Sequence, residues 1–192
     1  MMLKSGNENF TFDDKLTDFQ LNDFWKWQAS DLLNNTLRGA LAEFIVAKAL
    51  NINTNIPRED WNEYDLLFGG KYKIEIKASA YIQSWEQKQN SKIIFSISPS
   101  RAWDSSVGYS EDPKRHSDLY VFCLFAEKDR EKANPLILDK WEFYPVLTME
   151  LNKCFQQQKT IGISSIKRLC PKPCNYHSLC NTVEKLLIIK DE

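Results

Sequence analysis

No stretch of this 192-residue chain approaches the eighteen or so consecutive apolar residues that span a bilayer, so no membrane partner is expected. The opening MMLKSGNENF lacks the apolar centre of a signal peptide, which makes a cytoplasmic location the expectation. A charge bias is missing too: 25 Lys and Arg against 26 Asp and Glu leave a net charge of −1. Any nucleic-acid surface must therefore come from basic residues segregated on one face and balanced by acids elsewhere. Five cysteines are an odd number, which excludes a fully paired intramolecular disulfide framework; in a reducing compartment all five are expected as thiols. Repeats and low-complexity tracts are absent. What is present is 43% apolar, 27% charged and 12% aromatic residue content, the make-up of an ordinary globular chain. Its length suits one domain around one substantial core.

Three regions follow from the pattern. Residues 1–35 are polar with interspersed aromatics (Phe10, Phe12, Phe19, Phe24, Trp25, Trp27) and read as an arm or short helices packing onto a body. Residues 36–150 carry the core elements, and residues 151–192 read as a C-terminal helical extension. Thr36 to Leu50 consists of strong helix formers, with Thr36 as the expected N-cap and apolar residues all round the axis, so burial on most sides is expected. Short strands are expected at Ile52–Pro57, Glu63–Phe68, Lys71–Ala78 and Lys92–Ser98. The nearly continuous apolar run Asp118–Ala126 fits a central strand buried on both faces. Trp141–Leu147 contains Pro145 and so belongs at an edge. Ser178–Ile189 reads as a closing amphipathic helix. Such an order suggests an α/β or α+β sandwich around one mixed sheet.

The stretch YDLLFGGKYKIEIKAS, residues 64–79, carries the chemistry. Its even positions Tyr64, Leu66, Phe68, Tyr72, Ile74 and Ile76 are apolar, whereas Asp65, Lys73, Glu75 and Lys77 fall on odd ones. Side chains alternate across a strand, so each arm of a hairpin here has one core face and one polar face. A two-residue turn at Gly69-Gly70 would set Asp65 against Ile74 and mix the faces. An odd-length loop sets Asp65 against Glu75 and keeps all six apolar residues together. Two carboxylates so placed repel unless Lys77 or a bound cation lies between them. A second signal is Glu43, whose helical neighbours Gly39, Ala40, Val46 and Ala47 offer no partner. A glutamate is rarely buried alone, so Glu43 either escapes through a gap or joins a polar cluster. Gly39 and Ala40 suggest close approach of its helix to the sheet, which would bring it towards Asp65 and Glu75.

These residues resemble the PD-(D/E)XK nuclease superfamily, the restriction-endonuclease-like fold. The matching features are a helix with Glu43 in a GALAE setting, Asp65 opening a strand, and E-x-K as Glu75-Ile76-Lys77 on the next. The resemblance covers residues 39–79 well and extends loosely to 126. It implies an α/β (α+β) core with a central mixed sheet flanked by helices, an αβββ-type motif and the active site on a β-hairpin. It further implies an endonuclease acting on DNA, with Mg²⁺ (or Mn²⁺ in its place) held by Glu43, Asp65, Glu75 and the Ile76 carbonyl. Lys77 would then orient or deprotonate the attacking water, or stabilise transition-state charge. Tyr64 stands where the name-giving proline would be, and no clear helix separates the third and fourth core strands, Tyr81–Asn90 being the candidate.

Further candidates each have a plainer reading. Gln83 follows Lys77 by six residues and is either a site residue or a loop hydrogen bonder; Ser79 is read as structural. Arg101, Trp103, Lys114, Arg115 and His116, in the polar loop Ser100–Ser117, either clamp phosphates and stack a base or form an ordinary surface. His116 as a general base is a weaker alternative. Cys170, Cys174, His177 and Cys180 match no structural zinc spacing cleanly, and packed thiols are preferred. DNA is the expected partner, with a homodimer left open. The alternative function is a non-catalytic nucleic-acid-binding or protein-interaction module on the same fold. Near-neutral charge favours that module, and the retained, mutually repelling carboxylates favour the enzyme.

Overall fold

The computed structural model of the protein describes residues 2–58, 62–101, 103–104, 108–109 and 113–191. The N-terminal region is a hairpin followed by a helix: β1 (Asn9–Phe12), β2 (Lys15–Gln20) and α1 (Leu21–Ala29). Its turn falls on Asp13 and Asp14, both at positive φ (49° and 56°), which short polar side chains tolerate better than most. A capping box closes the start of α1, where the Gln20 N–H donates to the Asp23 carboxylate at 2.9 Å. The six aromatics expected to pack this arm onto a body all stay exposed. Phe10 meets Phe19 within the hairpin, but no residue of α1 is buried and Trp27 is 81% exposed.

Helix α2 spans Asn35–Ala49. Its cap is Asn34 rather than Thr36, because the Asn34 Oδ1 accepts from the N–H groups of Thr36 (3.0 Å) and Leu37 (3.4 Å). Ala42, Ile45, Val46 and Ala47 are buried while Phe44 is half exposed, so the helix buries one side and not most of its circumference. A Cβ at Gly39 would meet open space, so no close approach occurs there.

The remaining elements are β3 (Leu66–Phe68), β4 (Tyr72–Ala80), β5 (Ile94–Ser96), β6 (Trp103–Asp104), β7 (Gly108–Tyr109), β8 (Leu119–Phe125), β9 (Trp141–Leu147), α3 (Thr148–Phe155), β10 (Thr160–Gly162), α4 (Ile163–Leu169) and α5 (Leu179–Asp191). No strand forms at residues 52–57. The central sheet has the order β3-β4-β8-β9, with β4 and β8 parallel and the outer pairings antiparallel. Strand β9, with Pro145, is an edge of that sheet as its proline requires. One sheet face, with Ile74, Ile76, Val121 and Phe143, packs on α2 and α5. The other, with Phe122, Leu124, Tyr144 and Val146, packs on β5, β10, α3 and α4 through Phe95, Ile161, Leu151 and Ile166. Every residue of β8 is buried, as expected for a strand covered on both sides. The result is an α+β fold with a mixed central sheet flanked by helices.

The parallel crossover from β4 to β8 contains no helix among the described residues. Residues 81–91 instead form a loop organised by Gln87. Its Oε1 accepts from the Gln83 N–H at 2.7 Å, and its Nε2 donates to the Ser91 hydroxyl at 3.0 Å. Side-chain amides that bond the backbone in this way compete with helix formation.

Candidate active site

The hairpin of β3 and β4 fixes the site. Phe68 pairs with Tyr72 and Leu66 with Ile74, so the connection is the three-residue turn Gly69-Gly70-Lys71. Gly69 and Gly70 take positive φ (59° and 68°), open to glycine at no steric cost. This is the odd-length register, and it carries Asp65 to the level of Glu75, on the face opposite Ile74 and Ile76. The Asp65 carboxylate accepts from the Ile76 N–H at 2.6 Å. Lys77 Nζ donates to Glu75 Oε1 at 2.5 Å, and the Ser117 hydroxyl donates to Glu75 Oε2 at 3.3 Å.

Asp65, Glu75 and Lys77 open together into a polar cavity of about 190 Å³. Burial, then the charge of Glu75, pushes the Asp65 carboxyl up to about 6, with Glu43 adding to the rise. The Ile76 N–H and Lys77 oppose that rise without cancelling it. The site thus holds carboxylate repulsion that a cation would relieve. Glu63, beside this cavity, is held below the usual carboxylate range chiefly by its hydrogen bond from Lys73. Its other oxygen faces His116 Nδ1 at 3.2 Å, while His116 Nε2 lies 2.8 Å from the Ser100 carbonyl.

Glu43 reaches the same neighbourhood from the other side. It lines a larger, mainly apolar groove of about 820 Å³ in which Asp65 also takes part, whereas Glu75 and Lys77 do not. Its carboxylate is held in a two-point pair by Arg58, with Nε at 2.5 Å and Nη2 at 3.0 Å. The partner missing from its own helix is thus supplied from fifteen residues downstream. Among the described residues no group of three or more Asp, Glu, His or Cys side chains is arranged to hold a metal. Neither Glu43 with Asp65 and Glu75 nor the cysteines near His177 form such a group.

Two substrate-binding candidates prove to be internal. Arg115 is 7% exposed, and all five of its N–H groups are engaged. Nε donates to the Ile97 carbonyl, Nη1 to Asn152 Oδ1 and the Gln156 carbonyl, and Nη2 to the carbonyls of Phe155 and Gln158. It caps the C-terminal end of α3, where carbonyls lack helical partners and a cation is favoured. Arg115→Met should therefore lower stability by about 3 kcal/mol in urea denaturation, with DNA affinity of the folded protein unchanged. An unchanged stability with weakened DNA binding would reverse that assignment. Gln83, 6% exposed, accepts from Arg38 Nη1 at 3.2 Å and donates to the Ala80 carbonyl at 2.8 Å, tying α2 to the end of β4. Arg101 and Lys114 are exposed. The Trp103 side chain lies outside the described residues.

Several cavity residues went unnoticed in the sequence, among them Ser96, Ser98 and Tyr120. Tyr120 pairs with Glu75 across β4 and β8 and lines the cavity beside it. In DLYVFCLFA it looks like any core aromatic, and only its register with Glu75 sets it apart.

A family model for bacteriophage T4 endonuclease IV matches residues 7–165. That span takes in the whole central sheet and the cavity, and stops short of α5. No curated protein and no solved structure matches the chain.

Proposed function

The chain belongs to the bacteriophage T4 endonuclease IV family, and on that premise we propose that it is a divalent-metal-dependent endonuclease that hydrolyses phosphodiester bonds of DNA at Asp65, Glu75 and Lys77. The observation that carries this reading is the register of the β3–β4 hairpin. It sets two carboxylates side by side in a polar cavity with one ammonium within reach. The same arrangement supports placing the site within the PD-(D/E)XK class of nucleases.

The donor set fits a hard cation such as Mg²⁺ or Mn²⁺, which takes oxygen ligands and is commonly held by one or two carboxylates plus phosphate oxygens. Asp65, Glu75 and the Ile76 carbonyl would hold it, while Glu43, paired with Arg58, stands outside that set. When bound, the metal supplies Lewis-acid polarisation of the phosphoryl oxygen and a water of lowered pKa. Lys77, on the same strand face as Glu75, holds a positive charge where negative charge develops on the phosphoryl group. Asp65, anchored by the Ile76 N–H, stays fixed in direction while it binds. Because Glu43 is neutralised by Arg58, Glu43→Gln should lower cleavage by about tenfold at most, whereas loss of Asp65 should abolish it. Comparing the two variants over a Mg²⁺ titration checks that ranking.

Incubating supercoiled plasmid and labelled oligonucleotides with the protein in Mg²⁺, Mn²⁺ or EDTA tests the function itself. Cleavage is expected with either metal and none in EDTA. Cleavage undiminished in EDTA, or tight DNA binding with no cleavage in either metal, would overturn the reading.

A further inference from the structure

The cavity that holds Asp65 and Glu75 poses an electrostatic problem for a phosphodiester. Its carboxylates repel the substrate, and the ammonium of Lys77 already lies 2.5 Å from Glu75 Oε1. Tyr120 is differently placed. The residue is 4% exposed, with its ring stacked on Phe122 at 5.8 Å between centroids, inside the second core. Yet it lines the cavity, no hydrogen bond of its hydroxyl forms among the described residues, and that oxygen is not among the sealed, unpartnered ones, so it stays open to the cavity. A hydroxyl that opens into a polar cavity can exchange water for a substrate oxygen. The same cavity is bordered by Ser96, Ser98 and Ser100, at every second position of an extended segment. Side chains spaced in this way repeat at about 6.6 Å, close to the separation of successive phosphates along a nucleic-acid strand. Ser98 already donates to the Lys159 carbonyl at 3.2 Å, which leaves Ser96 freer than Ser98.

We propose that the Tyr120 hydroxyl contacts the substrate by donating a hydrogen bond to a non-bridging oxygen of the scissile phosphodiester, with Ser96 serving the adjoining phosphate. This rests on the nuclease reading above and adds to it the group that receives the phosphate. The hydroxyl acts as a neutral donor. A phenol ordinarily titrates at about 10, so at neutral pH it remains protonated and is no nucleophile. A neutral donor suits this position, since it attracts the phosphate oxygen without competing with a cation for Asp65 and Glu75.

The test is Tyr120→Phe, which removes one oxygen and keeps the buried ring. Single-turnover cleavage is measured on an oxygen substrate and on two diastereomers carrying sulfur at one non-bridging position. Tyr120→Phe should slow cleavage of the oxygen substrate roughly ten- to hundred-fold, the range for a hydrogen bond to a charged group. Its melting temperature should match that of the wild type. Sulfur accepts hydrogen bonds poorly, so one diastereomer should be cleaved slowly by the wild type, and that penalty should shrink in the variant. A variant that cleaves at the wild-type rate overturns the proposal, as does a slow variant with the full sulfur penalty, since the hydroxyl then only positions other groups. A parallel arm measures oligonucleotide affinity by fluorescence anisotropy in Ca²⁺. If wild type cleaves nothing in Mg²⁺ or Mn²⁺ the nuclease reading fails, and this arm still decides the contact. Weaker binding by Tyr120→Phe supports it, and equal binding refutes it.

Discussion

Lys77→Ala should lower the single-turnover rate of DNA cleavage by roughly 10²–10⁴-fold, the scale of a positioned group that moves a proton or meets transition-state charge. DNA affinity should change far less, because one phosphate contact among several contributes modestly to binding. The geometry adds a sharper expectation about the metal. Lys77 Nζ lies 2.5 Å from Glu75 Oε1, so its ammonium competes with any cation for that oxygen. Removing it should leave metal affinity unchanged or tighter, and excess Mg²⁺ should not restore the rate. Half-saturation by Mg²⁺ and the rate at saturation, measured together, separate these effects. A variant whose lost rate returns at high Mg²⁺ would identify Lys77 as an aid to metal binding instead.

Asp65→Asn carries the second large effect, and it acts on stability as well as catalysis. In the folded protein the Asp65 carboxyl is pushed up to about 6, against an ordinary value of 3.8. The folded state therefore holds this proton more tightly than the unfolded chain does. The stability associated with the protonated group is present below pH 3.8 and is lost as pH rises through about 6. At pH 8, without metal, the ionised carboxylate should cost about 3 kcal/mol. Asparagine keeps an acceptor for the Ile76 N–H and carries no charge. The variant should thus be more stable than wild type at pH 8 in EDTA, with the gap closing towards pH 4, while cleavage is abolished. Denaturant titrations at the two pH values check this. An equal gap at both, or a destabilised variant at pH 8, would contradict the account of strain at the carboxylate pair.

The hairpin carrying Asp65, Glu75 and Lys77 was legible because three local constraints agree. Six apolar residues share one parity, two glycines mark the turn, and only an odd connection keeps the apolar face whole. Strand β8 was legible from its unbroken apolar run, and β9 from its proline. The turn of the N-terminal hairpin had a signal too, in adjacent Asp13 and Asp14, but its surroundings offered no clean alternation. What stayed hidden depends on distant partners. Arg115 looks the same in sequence whether it faces solvent or turns inward, and the short helix α3 that it caps follows β9 with no breaker between them. Glu43 had no partner within its own helix, and nothing local announces Arg58. The apolar run that gave away β8 also concealed Tyr120, whose place beside Glu75 follows only from the parallel pairing of two strands more than forty residues apart.

The central claim is that Glu75, with Asp65, belongs to the centre where DNA is cut. Single-turnover cleavage of a labelled DNA by wild type and by Glu75→Gln, in Mg²⁺ and in EDTA, meets it most directly. The substitution keeps the size of the side chain and an acceptor oxygen for Lys77, turns the edge facing Ser117 into an amide donor that the hydroxyl can accept from, and removes the charge. Wild type should cleave in Mg²⁺ alone, and Glu75→Gln should fall at least a hundredfold while melting as a folded protein. Cleavage by Glu75→Gln at the wild-type rate would place the catalytic centre elsewhere on the chain.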